Sequence, residues 1–276
     1  MNMNNPITKE VGNYKVDTHI HGQFSSDSKQ DYRKLCQKAI EKNYKVIAFT
    51  EHFDLLDSDL QNYGVSILKK YIDCLTKIQR EFPDLKIIRG IELGEPHKVV
   101  DVAKKIFSNV KIDYTIGSLH FTKTKINVSD RIGNFTTECD LRQYYEETLE
   151  MVEIGNFDTL GHLGIYKRSL SYQQIPSEKK VQYIIDEIFK KMIKKNICLE
   201  INSSSLKRNY PTYLPDPIYL TRYKELGGEL ITIGSDAHDL ENFDKYYEET
   251  LISLKTLGFS YLYYKYNGIW ENALII

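Results

Sequence analysis

The chain has 276 residues, 41% of them hydrophobic and 27% charged, with a formal net charge of −1. That balance buries a substantial core and excludes the basic excess of a dedicated nucleic-acid binder. The four cysteines, Cys36, Cys74, Cys139 and Cys198, form no CxxC pair, which argues against a zinc finger or a thioredoxin-like motif. The expectation is a thiol-reduced, cytoplasmic protein with neither a secretory leader nor a membrane span.

Residues 1–14 read as a flexible lead-in and 15–276 as one domain. Short β-branched runs over 15–20, 45–50, 86–91, 112–117, 157–161, 197–202 and 230–234 predict strands. Helical patterns fall between them, over 30–43, 66–81, 96–107, 140–154, 177–195 and 216–226. Strands alternating with helices imply parallel strands joined by crossovers, an α/β fold. Residues 240–257 predict a further helix, and the aromatic run Tyr261–Tyr266 a last strand followed by a short tail. Two connections, 53–65 and 121–139, are long enough to close over a site. No internal repeat or linker divides the chain.

Chemistry gathers where these strands end. The first ends in His19 and His21, with Asp27 close behind, and period-two alternation sets Asp17, His19 and His21 on one side. The following strand ends bring Glu51 and His52, Glu92, His120, His162, Glu200 and Asn202, and then Asp236 and His238. Six of the seven histidines therefore share the edge at which open sheets and barrels bind ligands. A single histidine at a strand end is more often a hydrogen-bonded structural residue. Six at one edge are different, because so many imidazoles in proximity resist protonation together. Neutral imidazoles mixed with carboxylates suit divalent metals, and about nine such donors exceed the needs of one ion. The seventh, His97, follows Glu92 in GEPH, and reads as an exposed residue at a helix start rather than as a pocket residue.

The ordered set DTHIH, FTEH, GIE, SLH, GH and SDAH, running from about residue 15 to 240, resembles the polymerase-and-histidinol-phosphatase (PHP) superfamily. FTEHFD, GHLGIYKR and LEINSSSLKR resemble its stand-alone phosphatase branch most. The resemblance implies a distorted (β/α)7 TIM-like barrel with three divalent ions, of zinc, iron or manganese, at the C-terminal edge of the strands. Carried over residue by residue, His19, His21, Glu92 and Asp236 would hold one ion. Glu92 would bridge to a second, completed by His120 and His162, and Asp27, His52 and His238 would hold the third. Glu92, Asp236 and His238 are then expected at the reacting centre. Asp17 is expected to orient a ligating histidine, with turn-capping as the alternative. Glu51 and Glu200 are expected to support the ligands or the fold rather than bind metal.

Two positions depart from the family pattern. Gly164 stands where many members carry an acidic residue, and Lys207, followed by Arg208, stands where the phosphatase branch shows arginine. Arg168 fits its branch position. Arg168, with Lys207 or Arg208, is expected to bind phosphate, while activated water attacks phosphorus in line. The implied activity is hydrolysis of L-histidinol phosphate, a small phosphomonoester, in histidine biosynthesis. The alternatives are a broad-specificity phosphatase, a nucleotide or oligonucleotide exonuclease, a phosphotyrosine phosphatase, an amidohydrolase-like barrel or a non-catalytic metal-binding domain. No nucleic-acid or membrane partner is expected.

Overall fold

The computed structural model describes residues 8–9, 14–56, 65–128, 137–207 and 211–275. Ten strands and seven α-helices alternate along these residues. Strands β2 (Lys15–Ile20), β3 (Tyr44–Phe53), β4 (Lys86–Gly94), β5 (Tyr114–Ser118), β6 (Thr159–Leu160), β7 (Cys198–Asn202) and β8 (Ile231–Gly234) form one parallel sheet in sequence order. The sheet curls into a nearly closed (β/α)7 barrel. Across the seam, the Asp236 N–H donates to His19 O at 2.8 Å and the His21 N–H to Ala237 O at 3.0 Å. Those bonds place the SDAH segment directly beside the HIH segment.

The helices sit on the outside for a simple reason. In α1 (Tyr32–Glu41) the buried residues are Tyr32, Leu35, Cys36 and Ala39, the i, i+3, i+4, i+7 stripe of a helix with one apolar face. Asp31 caps it, accepting from the Lys34 N–H at 3.0 Å. Helix α2 (Val65–Glu81) repeats the stripe with Leu68, Tyr71, Ile72, Leu75 and Ile78. The remaining helices are α3 (Val100–Phe107), α4 (Glu138–Ile154), α5 (Gln182–Lys195), α6 (Pro217–Glu225) and α7 (Tyr247–Thr256). Helix α4 starts with a reciprocal cap between Thr137 and Asp140.

The predicted last strand is β9 (Tyr261–Tyr266), but the residues after it are no tail. Asn267 and Gly268, at φ 49° and 81°, turn the chain back into β10 (Ile269–Leu274), antiparallel to β9. Asn-Gly is the residue pair that a tight hairpin of this hand favours. Strand β1 (Thr8–Lys9), within the expected lead-in, pairs with Glu271 and Asn272. This small sheet covers the end of the barrel opposite the ligands: Tyr264 and Ala273 pack with Val16, Val46, Ala48, Ile88, Tyr114 and Ile116. Helix α7 is shorter than the predicted 240–257, because turns occupy the residues before Tyr247.

Candidate metal centre

Every candidate ligand reaches the C-terminal mouth of the barrel, around a pocket of about 270 Å³. Asp27, His52, Glu92, His120, His162, Arg168, Asp236 and His238 line it, while His19 and His21 lie fully buried beneath. His162 and Asp236 hold φ values of 22° and 50°. A non-glycine residue costs about 1–3 kcal/mol in such a conformation. Two neighbouring costs of that kind at one mouth mark residues placed for chemistry rather than for stability.

Hydrogen bonding fixes which imidazole nitrogens face inward. His19 Nδ1 lies 2.5 Å from Glu200 Oε1, so it must carry the proton and donate. The Ser25 hydroxyl donates to Glu51 Oε2 at 2.5 Å and therefore accepts from His21 Nδ1 at 3.1 Å. His120 Nδ1 donates to Asp54 Oδ1 at 2.9 Å, and His238 Nδ1 to the Asp236 carbonyl at 3.0 Å. In all four rings the Nε2 lone pair is left pointing at the centre. Metal-ligating histidines are oriented in this way.

The inward atoms form a cage. His19 Nε2 and His21 Nε2 are 3.0 Å apart; Glu92 Oε2 is 3.5 Å from each, and Asp236 Oδ1 is 3.8 and 3.3 Å from them. Donor atoms about 2.05 Å from a tetrahedral ion stand about 3.3–3.4 Å apart, the middle of this range. The other oxygen of the same carboxylate, Glu92 Oε1, lies 3.2 Å from His120 Nε2 and 2.8 Å from His162 Nε2. Asp27 Oδ2 lies 3.1 Å from His238 Nε2 and 3.5 Å from His52 Nε2. Donors so close together must share protons or cations, and Glu92 Oε2, fully buried, has His52 Nδ1 at 2.8 Å without an aligned hydrogen bond. The donor set fits divalent ions.

Electrostatics point the same way. Burial opposes ionisation of Glu92, but His19, His120 and His52 prevail and hold its carboxyl well below the ordinary range. Asp236 is likewise held low against burial, by Arg168 and then His19. Burial, aided by His52 and His238, presses His21 well below the usual imidazole range, which leaves its lone pair available. For His19 burial is outweighed by Glu200, Glu92 and Asp236, which raise it. A cage that so favours positive charge suits a cation.

Among the supporting residues Glu200 acts as the sequence suggests, whereas Ser118 and Asp54 are unforeseen. Asp17 does not reach a histidine ring: its Oδ1 accepts the N–H groups of His19 and Ser235, each at 3.1 Å, and so clips the two seam strands together. Glu200 orients His19 instead, and its second oxygen accepts the His162 N–H at 2.5 Å. Ser118 donates to Glu92 Oε1 at 2.7 Å. Asp54, two residues beyond His52, lines the pocket just after β3. His97 is corrected: its side chain is 2% exposed and lies 3.7 Å from Glu147 of α4, facing away from solvent. Arg168 contacts Asp236 Oδ2 and the Ser204 hydroxyl, and donates to Asn202 Oδ1 at 3.2 Å. Lys207 ends a short 3₁₀ turn that starts at Ser204, and Arg208 lies outside the described residues.

Comparison with known proteins agrees with this geometry. The PHP domain family profile matches residues 17–204. The chain belongs to the PHP domain family. Among curated PHP relatives, a probable histidinol-phosphatase of Clostridium acetobutylicum is 30% identical over 80% of this chain and 86% of its own length. The histidinol-phosphatase of Lactococcus lactis is 28% identical over 81% and 84%. The crystal structure of histidinol phosphate phosphatase from Lactococcus lactis, complexed with zinc, L-histidinol and phosphate, superposes with a TM-score of 0.79 at 25% identity. It covers 93% of this chain and 98% of that one. A putative histidinol phosphatase from Listeria monocytogenes shares the PHP barrel, with a TM-score of 0.72 at 18% identity.

Proposed function

We propose that this PHP-domain protein is a metal-dependent phosphomonoesterase that hydrolyses L-histidinol phosphate to L-histidinol and phosphate. The observation that carries the reading is Glu92, whose two oxygens face separate sets of imidazole nitrogens beside a half-buried arginine. The relatives named for this activity, and the neighbour holding zinc with both products, support the substrate.

His19, His21, Glu92 and Asp236 would hold one ion; Glu92, His120 and His162 a second; Asp27, His52 and His238 a third. Bound divalent ions lower the pKa of water and neutralise charge developing on phosphoryl oxygens. The protein's own part is placement. Arg168 sits in the pocket wall, and its guanidinium would bind a phosphate oxygen. Asp236 turns one oxygen to the imidazoles and the other to Arg168. It thereby fixes the distance between the ligand cage and the phosphate-binding cation. Lys207 or Arg208 would add a second positive charge for the phosphate.

No helix among the described residues is long and apolar enough to cross a membrane. All four cysteines are free thiols, which supports a cytoplasmic setting. Phosphate release by metal-loaded protein tests the function across L-histidinol phosphate, phosphotyrosine, nucleotides and simple phosphomonoesters. The highest kcat/KM is expected for L-histidinol phosphate, with metal content approaching three per chain. A higher value on another ester would reassign the substrate, and saturation at one ion per chain would remove the trinuclear assignment.

A further inference from the structure

The pocket at the metal centre is lined mostly by charged groups and imidazoles, which suits ions and phosphate but offers little to the organic part of an ester. Beside it lies a second cavity of about 430 Å³, and Asp54 and Phe121 line both. A volume of that order is typical of small-molecule sites. Leu56 and Phe121, from the loops after β3 and β5, both line it and are 48% and 38% exposed. Apolar side chains so exposed beside a charged site have surface to gain from a ligand.

The wall is held firmly. Glu95, buried at φ 44°, accepts the backbone N–H groups of His120 and Phe121 at 2.6 and 2.7 Å, which anchors the backbone that carries both side chains. Of the three lysines at this cavity, Lys98 is ion-paired with Glu147 and Lys123 with Glu150, while Lys125 adds a positive charge at the rim. Asp54, 23% exposed at the junction with the metal pocket, accepts from His120 Nδ1 through Oδ1 and lines the route between the two cavities.

We propose that this second cavity receives the alcohol part of the substrate and that Leu56, Phe121 and Asp54 set its specificity. The flat ring of a heteroaromatic amino alcohol lies between Leu56 and Phe121, and the ammonium near the ester oxygen faces Asp54. The assignment rests on the reading of this chain as an L-histidinol phosphate hydrolase.

The test uses metal-loaded wild type, Leu56→Ala and Phe121→Ala. Both changes are on partly exposed side chains in separate loops, so a folding defect in one leaves the other informative. L-histidinol phosphate is compared with glycerol phosphate, which has no ring. In each variant the ratio of kcat/KM for the ring-bearing ester to that for glycerol phosphate falls about tenfold. Inhibition by L-histidinol weakens by a similar factor, more than inhibition by inorganic phosphate does. A ratio within about twofold of wild type in both variants overturns the pocket assignment alone. Wild type that cleaves glycerol phosphate but not L-histidinol phosphate overturns the functional reading, and the pocket assignment with it.

Discussion

Glu200→Gln isolates the support of the metal centre from the centre itself, because Glu200 is proposed to hold two ligands and to bind no ion. Its side chain is fully buried, and its two oxygens each accept one donor at 2.5 Å, from His19 Nδ1 and from the His162 N–H. A carboxylate satisfies both; an amide offers one oxygen and one NH₂, so one donor must face another donor. A buried donor left unmade costs about 1–3 kcal/mol. Because His19 and His162 are proposed to serve different ions, both sites should loosen, and loss of an outer hydrogen bond to a ligand lowers affinity about ten- to hundredfold. Competition of the apo-protein against a chromophoric zinc chelator measures this directly, with circular dichroism confirming the fold. A folded Glu200→Gln protein with zinc affinity within about twofold of wild type would refute the argument.

Gly234→Ala attacks the same support from behind: the new Cβ would overlap Glu200 Oε1 and stand 2.6 Å from His19 Cβ. Overpacking of this kind costs about 1–3 kcal/mol, so thermal unfolding should show Tm lowered by several degrees together with reduced metal content. Arg168→Ala removes a charge-assisted phosphate contact worth about 1.5–3 kcal/mol, and kcat/KM should fall about ten- to hundredfold. Steady-state kinetics beside elemental analysis would show whether freeing Asp236 also costs metal. Glu178 gives a pH prediction: Lys167 Nζ lies 2.7 Å away and the Tyr219 hydroxyl donates to it at 2.8 Å. Burial opposes, but Lys167 and the tyrosine hydroxyls hold this carboxyl below its ordinary value of 4.5. A depressed carboxyl contributes stability above its unfolded pKa and loses it as pH falls through the folded one. The Tm gap between wild type and Glu178→Gln should therefore be wider at pH 7 than at about pH 3.5, and a constant gap would contradict the assignment.

The clustering of the candidate ligands at one mouth was legible because all but Asp27 lie where an apolar β-branched run gives way to a polar residue, a signal contained within a few residues. The barrel followed from strands alternating with helices. A supporting role for Glu200 was legible but its partners were not, and Asp54 was missed, since both acquire their meaning only from rings brought to them by distant strands. His97 shows the same limit: nothing near GEPH announces that Glu147, on a helix across a long loop, will cover it. The alternation read into KVDTHI was too regular. A register shift between Asp17 and Ile20 interrupts the ladder, so Asp17 meets backbone where a ring was expected. The final hairpin is a different kind of miss, because Asn267-Gly268 carries a local turn signal that the aromatic run before it obscured.

The seam of the barrel has a consequence for the order of events in the life of the chain. Asp17 and Ser235, which meet there, are 218 residues apart, so the proposed ligands from the first strand have no opposite partners until nearly the whole domain has been synthesised. A nascent or truncated chain lacking β8 would display His19 and His21 without Asp236 or His238, a weak chelate at best. Full-affinity metal capture then reports that the chain is complete and its two ends are joined. Proteolysis that removes the last barrel strand would release the ions as it opens the fold.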